Sequence, residues 1–190
     1  METRHSLRMM VFASLMAALI AVGSYLAVPV GPVPIVLQNL FVLLAGLLLG
    51  GRWAAASVAV FLLAGACGLP VFANGTAGLG RLIGPTGGYL IGYLAAAFLV
   101  GIMAEKANQR VALEVLAMVI GSMVVYAFGV PWLALVTGMP LDKAIAVGLY
   151  PFLIGDAFKI AAAIPISRAV RPLMRTMPGI VVAPINGERA

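Results

Sequence analysis

Long apolar runs, separated by short clusters of glycine, proline and basic residues, make up most of this chain, and that punctuation limits what it can fold into. The runs extend over approximately 9–28, 35–49, 53–69, 85–104, 111–137 and 150–166. A helix that crosses a bilayer needs roughly 20 mostly apolar residues. The spacing therefore predicts an all-α integral membrane protein, a single compact bundle of six transmembrane helices within residues 1–176. Composition agrees, because a soluble domain with 63% hydrophobic and 9% charged residues would expose large apolar patches to water. The first run, preceded by Arg4 and Arg8, has the look of a signal peptide, but it is long for one and Ala21-Val22-Gly23 is a weak cleavage site. The stretch from Pro70 to Gly88 holds too many helix breakers for a continuous span, and Pro131 is expected to kink the fifth. Residues 177–190 carry prolines and no apolar periodicity, which predicts a poorly ordered cytoplasmic tail.

The net charge of +6 invites a nucleic-acid reading, yet the basic residues sit at the ends of the runs instead of in one patch. Membrane topology explains them, since short cytoplasmic loops carry the excess of Lys and Arg. With both termini inside, Arg4, Arg8, Arg52, Lys106, Arg110, Arg168, Arg171 and Arg175 are cytoplasmic and only Arg81 and Lys143 face out. Lys159 then lies inside the last span and Arg189 in the tail.

Ionisable groups inside a bilayer are costly and mark sites by default. Asp156 and Lys159, three residues apart on the sixth run, share one helix face. They form either a structural ion pair or a binding site for the polar ends of a ligand. Pro151 and Gly155 just before them place both charges in the outer half of the span, which favours the site. The glycine-dense segment, with Asn74, Thr76, Arg81, Thr86, Gly87, Gly88 and Tyr89, reads as a lid or pocket wall, or alternatively as an ordinary flexible loop. Arg81 runs against the topology bias and would suit an anionic substrate. Ala13, Ala17 and Ala21 make a smooth ridge on the first helix, and from spacing alone internal packing is the simpler explanation.

Several chemistries are excluded or left without support. No Gly-x-x-x-x-Gly-Lys-Ser/Thr occurs, so ATP is not bound through a P-loop. His5 is the only histidine, Cys67 the only cysteine, and neither His-Glu-x-x-His nor Gly-x-Ser-x-Gly is present. No enzyme activity, metal or cofactor is expected.

Four segments in order carry a resemblance: Gly31-Pro32-Val33-Pro34-Ile35 with Leu37-Gln38-Asn39; Gly68-Leu69-Pro70-Val71-Phe72; Gly84-Pro85-Thr86-Gly87-Gly88-Tyr89; and Pro151-Phe152-Leu153-Ile154-Gly155-Asp156 with Lys159. Together they resemble the biotin S-component family of energy-coupling-factor (ECF) vitamin transporters. The resemblance implies a six-helix substrate-binding subunit in the cell membrane that docks on a transmembrane T component carrying two ATPase subunits. It also implies that Asp156 and Lys159 hold the polar end of biotin, that Gln38, Tyr89 and the Thr86-Gly87-Gly88 backbone line the pocket, and that the Ala13/Ala17/Ala21 face docks on the T component. Thr76 and Leu90 stand where some relatives have Asn and Arg, which leaves Arg81 or Lys159 for the biotin carboxylate. Rival readings are an S component for riboflavin or thiamine, and a structural subunit in which Asp156 and Lys159 only lock the helices together.

Overall fold

The computed structural model describes residues 2–28 and 32–176. Gly31 of the first family segment and the tail 177–190 lie outside the described residues. Helix α1 (Glu2–Tyr25) leads through a two-residue antiparallel hairpin, β1 (Ala27–Val28) and β2 (Ile35–Val36), into α2 (Gln38–Leu49) and α3 (Gly51–Ala66). A 3-10 turn (Ala73–Gly75) and a short α4 (Leu79–Ile83) precede the long helices α5 (Gly87–Ala107) and α6 (Val111–Thr137). The short α7 (Leu141–Gly148) then joins the final helix α8 (Tyr150–Thr176).

Among the described residues, four helical stretches are long and apolar enough to cross a membrane: Ser6–Tyr25, Gly87–Ala107, Val111–Thr137 and the continuous α7–α8 region Leu141–Met174. Two expected spans are shorter. The run expected from residue 35 becomes helical only at Gln38, because Pro32 and Pro34 disfavour helix and Ile35 and Val36 pair as β2. The resulting α2 has 12 residues, about 18 Å at the α-helical rise, against a hydrocarbon core of about 30 Å. The sixth run errs the other way. Its apolar stretch ends near residue 166, but α8 continues to Thr176 through Pro165 and Pro172. Charges end an apolar run without ending a helix.

Almost every side of α2 is buried, including both of its polar residues, Gln38 and Asn39. It occupies the middle of the bundle, against α1, α3, α5 and α8. Glycines permit the close crossings. A Cβ on Gly46 would lie 2.7 Å from the Val100 side chain, and a Cβ on Gly23 would lie 3.0 Å from the Gln38 backbone. The turn between α2 and α3 is a single residue, Gly50 at φ 78°, and Glu105 of α5 accepts a 2.9 Å hydrogen bond from Gly51 N. Gly50 is thus required twice, by its positive φ and by the Glu105 carboxylate that fills the space of a side chain.

The alanine ridge of α1 points inward. Ala13 and Ala17 are 4% and 6% exposed and join Met16 and Ile20 in the main core, with Ala21 packed at its edge. This burial agrees with internal packing, the simpler explanation of the ridge from its spacing. The lipid-facing side of α1 instead carries Leu7, Val11, Leu15 and Val22, all more than half exposed.

Candidate ligand-binding site

The N-terminus of α2, the first turns of α5, the C-terminal half of α6 and the start of α8 converge around one cavity. It holds about 610 Å³ of atom-free space, counted out to its mouth. Its walls are largely apolar and aromatic, with Val33, Val36 of β2, Phe72 from the glycine-dense segment, Tyr93 from α5 and Phe152 from α8.

The polar floor is assembled from three helices. Asp156 Oδ1 accepts from Lys159 Nζ at 3.0 Å and from Asn39 Nδ2 at 3.3 Å, and Asp156 Oδ2 accepts from the Tyr126 hydroxyl. Asp156 and Lys159 are 5% and 8% exposed, so the carboxylate is held almost entirely by protein donors. Two amide groups at the same level are incomplete: neither Gln38 Nε2 nor Asn39 Oδ1 has a hydrogen-bond partner, although both are buried. Buried polar atoms in native proteins are normally paired, and leaving one bare costs about 1–3 kcal/mol. One donor and one acceptor left open beside a charged pair form a polar recess that a ligand with both N–H and C=O groups would complete.

The glycine-dense segment forms one side of the mouth. Phe72 N donates to Thr76 O at 3.0 Å, closing a tight turn that places the nearly buried Phe72 ring edge-on against Phe61, 5.5 Å between centroids. Thr76 Oγ1 donates to Ala73 O at 2.9 Å and accepts from Arg81 Nε at 2.7 Å, fixing the guanidinium that lines the cavity. The C-terminal end of α1 holds the base of this loop, where Ser24 Oγ lies 2.5 Å from Val71 O and the Tyr25 hydroxyl donates to Pro70 O.

Of the residues singled out from sequence, Gln38, Arg81, Thr86, Tyr89, Asp156 and Lys159 line this cavity. Asn74 and Thr76 do not. Asn74 is exposed with φ 60°, a turn residue, and Thr76 acts through Arg81. Gly87 and Gly88 are also displaced from the lining. A Cβ on Gly87 would collide with the Leu82 carbonyl, and one on Gly88 with Trp132 and the Phe128 carbonyl. These glycines seat α5 against α4 and α6, so their contribution is close packing. Tyr89 presents its ring to the cavity while its hydroxyl donates to Gly148 O at 2.8 Å. Asn39 and Tyr126, both bonded to Asp156, were not expected as site residues. Asn39 was visible as a polar residue next to Gln38, whereas nothing in the local sequence distinguishes Tyr126 from a packing aromatic.

Fold and cavity together define a multi-pass helical membrane protein with a buried charged pair at the floor of a shielded cavity. A family model described as the BioY family matches residues 1–176, and the chain belongs to that family. It is 40% identical over 167 residues to a biotin transporter of Thermotoga maritima, covering 88% of this chain and 98% of the relative. It is 39% identical to one from Rhizobium etli, covering 87% of this chain and 94% of the relative. The crystal structure of an S component for biotin from an ECF-type ABC transporter superposes with a TM-score of 0.84 at 32% identity, over 90% of this chain and 95% of that one.

Proposed function

We propose that this protein captures biotin at the outer face of the cell membrane as the S component of an ECF-type uptake transporter. The observation that carries the reading is the polar recess formed by Asp156, Lys159, Asn39 and Gln38 at the floor of an otherwise apolar cavity. Biotin has a ureido ring with two N–H donors and one carbonyl, an apolar thioether ring and chain, and a terminal carboxylate. Asp156 and Asn39 Oδ1 accept from the ureido N–H groups, and Lys159 and Gln38 Nε2 donate to its carbonyl. The aromatic walls enclose the middle of the molecule. Arg81 takes the carboxylate. It has no carboxylate within ion-pair distance among the described residues, whereas the charge of Lys159 is already balanced by Asp156.

The bundle, residues 1–176, acts as one domain that crosses the membrane six times with both termini in the cytoplasm, α2 and α3 serving as the short spans. The excess of basic residues at the end opposite the cavity supports this orientation. Energy comes from a T component and two ATPase subunits, in keeping with the absence of a P-loop from this chain. The chain itself catalyses no covalent step.

Titrating the purified protein with biotin, riboflavin and thiamine tests the assignment. Saturable binding of biotin alone supports it, and preferential binding of another vitamin refutes it. A reporter active only outside the cytoplasm, fused to each terminus in turn, checks the orientation; activity at either end refutes the six-span arrangement.

A further inference from the structure

A second concavity lies on the outside of the bundle, between α3 and α5, and has no connection to the ligand cavity's residues. It holds about 820 Å³ counted to its open side and is lined by Ala55, Ala56 and Ala59 of α3 and by Ile91, Ala95 and Phe98 of α5 among others. At one end stands Arg52, which is exposed and has no carboxylate within ion-pair distance among the described residues. The alanines are half-buried and form a low floor, while Ile91 and Phe98, 41% and 45% exposed, rise beside it. From Arg52 to Ala59 the slot runs about 10 Å along α3 at the α-helical rise.

We infer that this slot is a binding site for one phospholipid, with an acyl chain lying over Ala56 and Ala59 and its phosphate on the Arg52 guanidinium. The chemistry at the two ends selects the occupant. An apolar slot in a lipid-facing surface takes hydrocarbon, but hydrocarbon alone leaves the guanidinium without a counter-ion. A guanidinium at the edge of a bilayer finds its anion in the phosphodiesters of the headgroup layer, which match its forked donors. A partner helix fits less well. With side chains it is about 10–12 Å across, and it would ride on Phe98 and Ile91 without reaching the alanine floor. An extended acyl chain is narrow enough to enter between two helices already in contact.

The test is native mass spectrometry of the full chain in mild detergent, with phosphatidylglycerol, with diacylglycerol bearing the same chains, and with inorganic phosphate as separate probes. The expected result is retention of phosphatidylglycerol only. Arg52→Ala should weaken retention about tenfold, the loss of a charge-assisted contact. Ala59→Leu, which fills the slot, should weaken it comparably. Because Arg52 is exposed and unpaired by carboxylate, its replacement should leave the unfolding temperature unchanged, so the result stands even where Ala59→Leu folds poorly. Equal retention of phosphatidylglycerol by the parent and Arg52→Ala overturns the site, as does equal retention of diacylglycerol. Phosphate bound without chains would mean an anion site only and also overturns it. A doubled mass abolished by Ala59→Leu would assign the slot to a second copy of this chain instead.

Discussion

The same three helices, α2, α6 and α8, are joined by charged groups at both ends of the bundle, and the two junctions are built differently. At the cavity, both charges come from α8 as the i, i+3 pair Asp156–Lys159, while α2 and α6 contribute only the neutral donors Asn39 and Tyr126. At the opposite end the charges come from different helices. Glu114 of α6 pairs with Arg171 of α8 at 2.6 Å, and Arg171 also donates to Leu47 O of α2 at 3.0 Å. Glu114 is fully buried, and neither it nor Arg171 lines the cavity. A pair within one helix cannot tie that helix to its neighbours; only the further hydrogen bonds of Asp156 do so. The Glu114–Arg171 pair spans helices directly and stands apart from the cavity. Both junctions leave buried polar atoms without a hydrogen bond, Gln38 Nε2 and Asn39 Oδ1 at one and Glu114 Oε2 at the other, but only the first opens onto the cavity; the second holds α6 and α8 in register by an ion pair.

The largest effect should come from breaking the second junction. Glu114→Ala leaves Arg171 partly buried without its partner, and losing one member of a buried pair costs about 3–5 kcal/mol. Denaturant or thermal unfolding in detergent measures this. Glu114→Leu combined with Arg171→Met should recover much of the loss, since both charges leave together. Unchanged stability in Glu114→Ala would remove the distinction between the two junctions.

Next in size is the cavity pair. Asp156→Asn should weaken biotin binding about 100-fold, because hydrogen bonds to a charged group are worth about 1.5–3 kcal/mol. Asp156→Asn with Lys159→Met should regain any lost stability without regaining binding. A double variant that binds biotin like the parent would show that both junctions are structural. For the inward alanine ridge, Ala13→Leu should destabilise the bundle by about 1–3 kcal/mol, the usual cost of overpacking. Full stability with loss of partner-dependent uptake would return the ridge to the surface.

The smallest effect sharpens the comparison most finely. Gln38→Leu removes a buried amide whose Nε2 is unpartnered, so the ligand-free protein should gain about 1 kcal/mol while biotin binding weakens by a similar amount. Isothermal titration and unfolding of the same preparation read both. A loss of stability would mean that Gln38 serves the fold and not the ligand.

How much of this could be read from the sequence depended on whether a signal was local. The apolar runs, the breaker-rich segment and the α6 boundaries, 111–137, follow from hydropathy and the flanking residues, because membrane insertion is decided segment by segment. Asp156 and Lys159 stood out for the same reason, two charges on one face of an apolar run. Glu114 lies in an equally apolar run, four residues after Arg110, and nothing local marks it as half of a buried pair. Its partner, Arg171, had been counted with the cytoplasmic loops. The ridge Ala13/Ala17/Ala21 has the same period whether it faces inward or outward, and nothing along α1 distinguishes the two.

Sequence by itself determined the membrane-helical class, the order of the segments, the family and the charged pair on the last helix, because each is carried by residues within a few turns of one another. Tertiary structure decided which groups meet. It brought Asn39 and Tyr126 to Asp156, turned the alanines of α1 into the core, moved Gly87 and Gly88 from the cavity wall to a helix contact, and paired Glu114 with Arg171. The physical reason is that periodicity fixes a face of a helix, while the partner of that face depends on how the other helices pack around the short, buried α2.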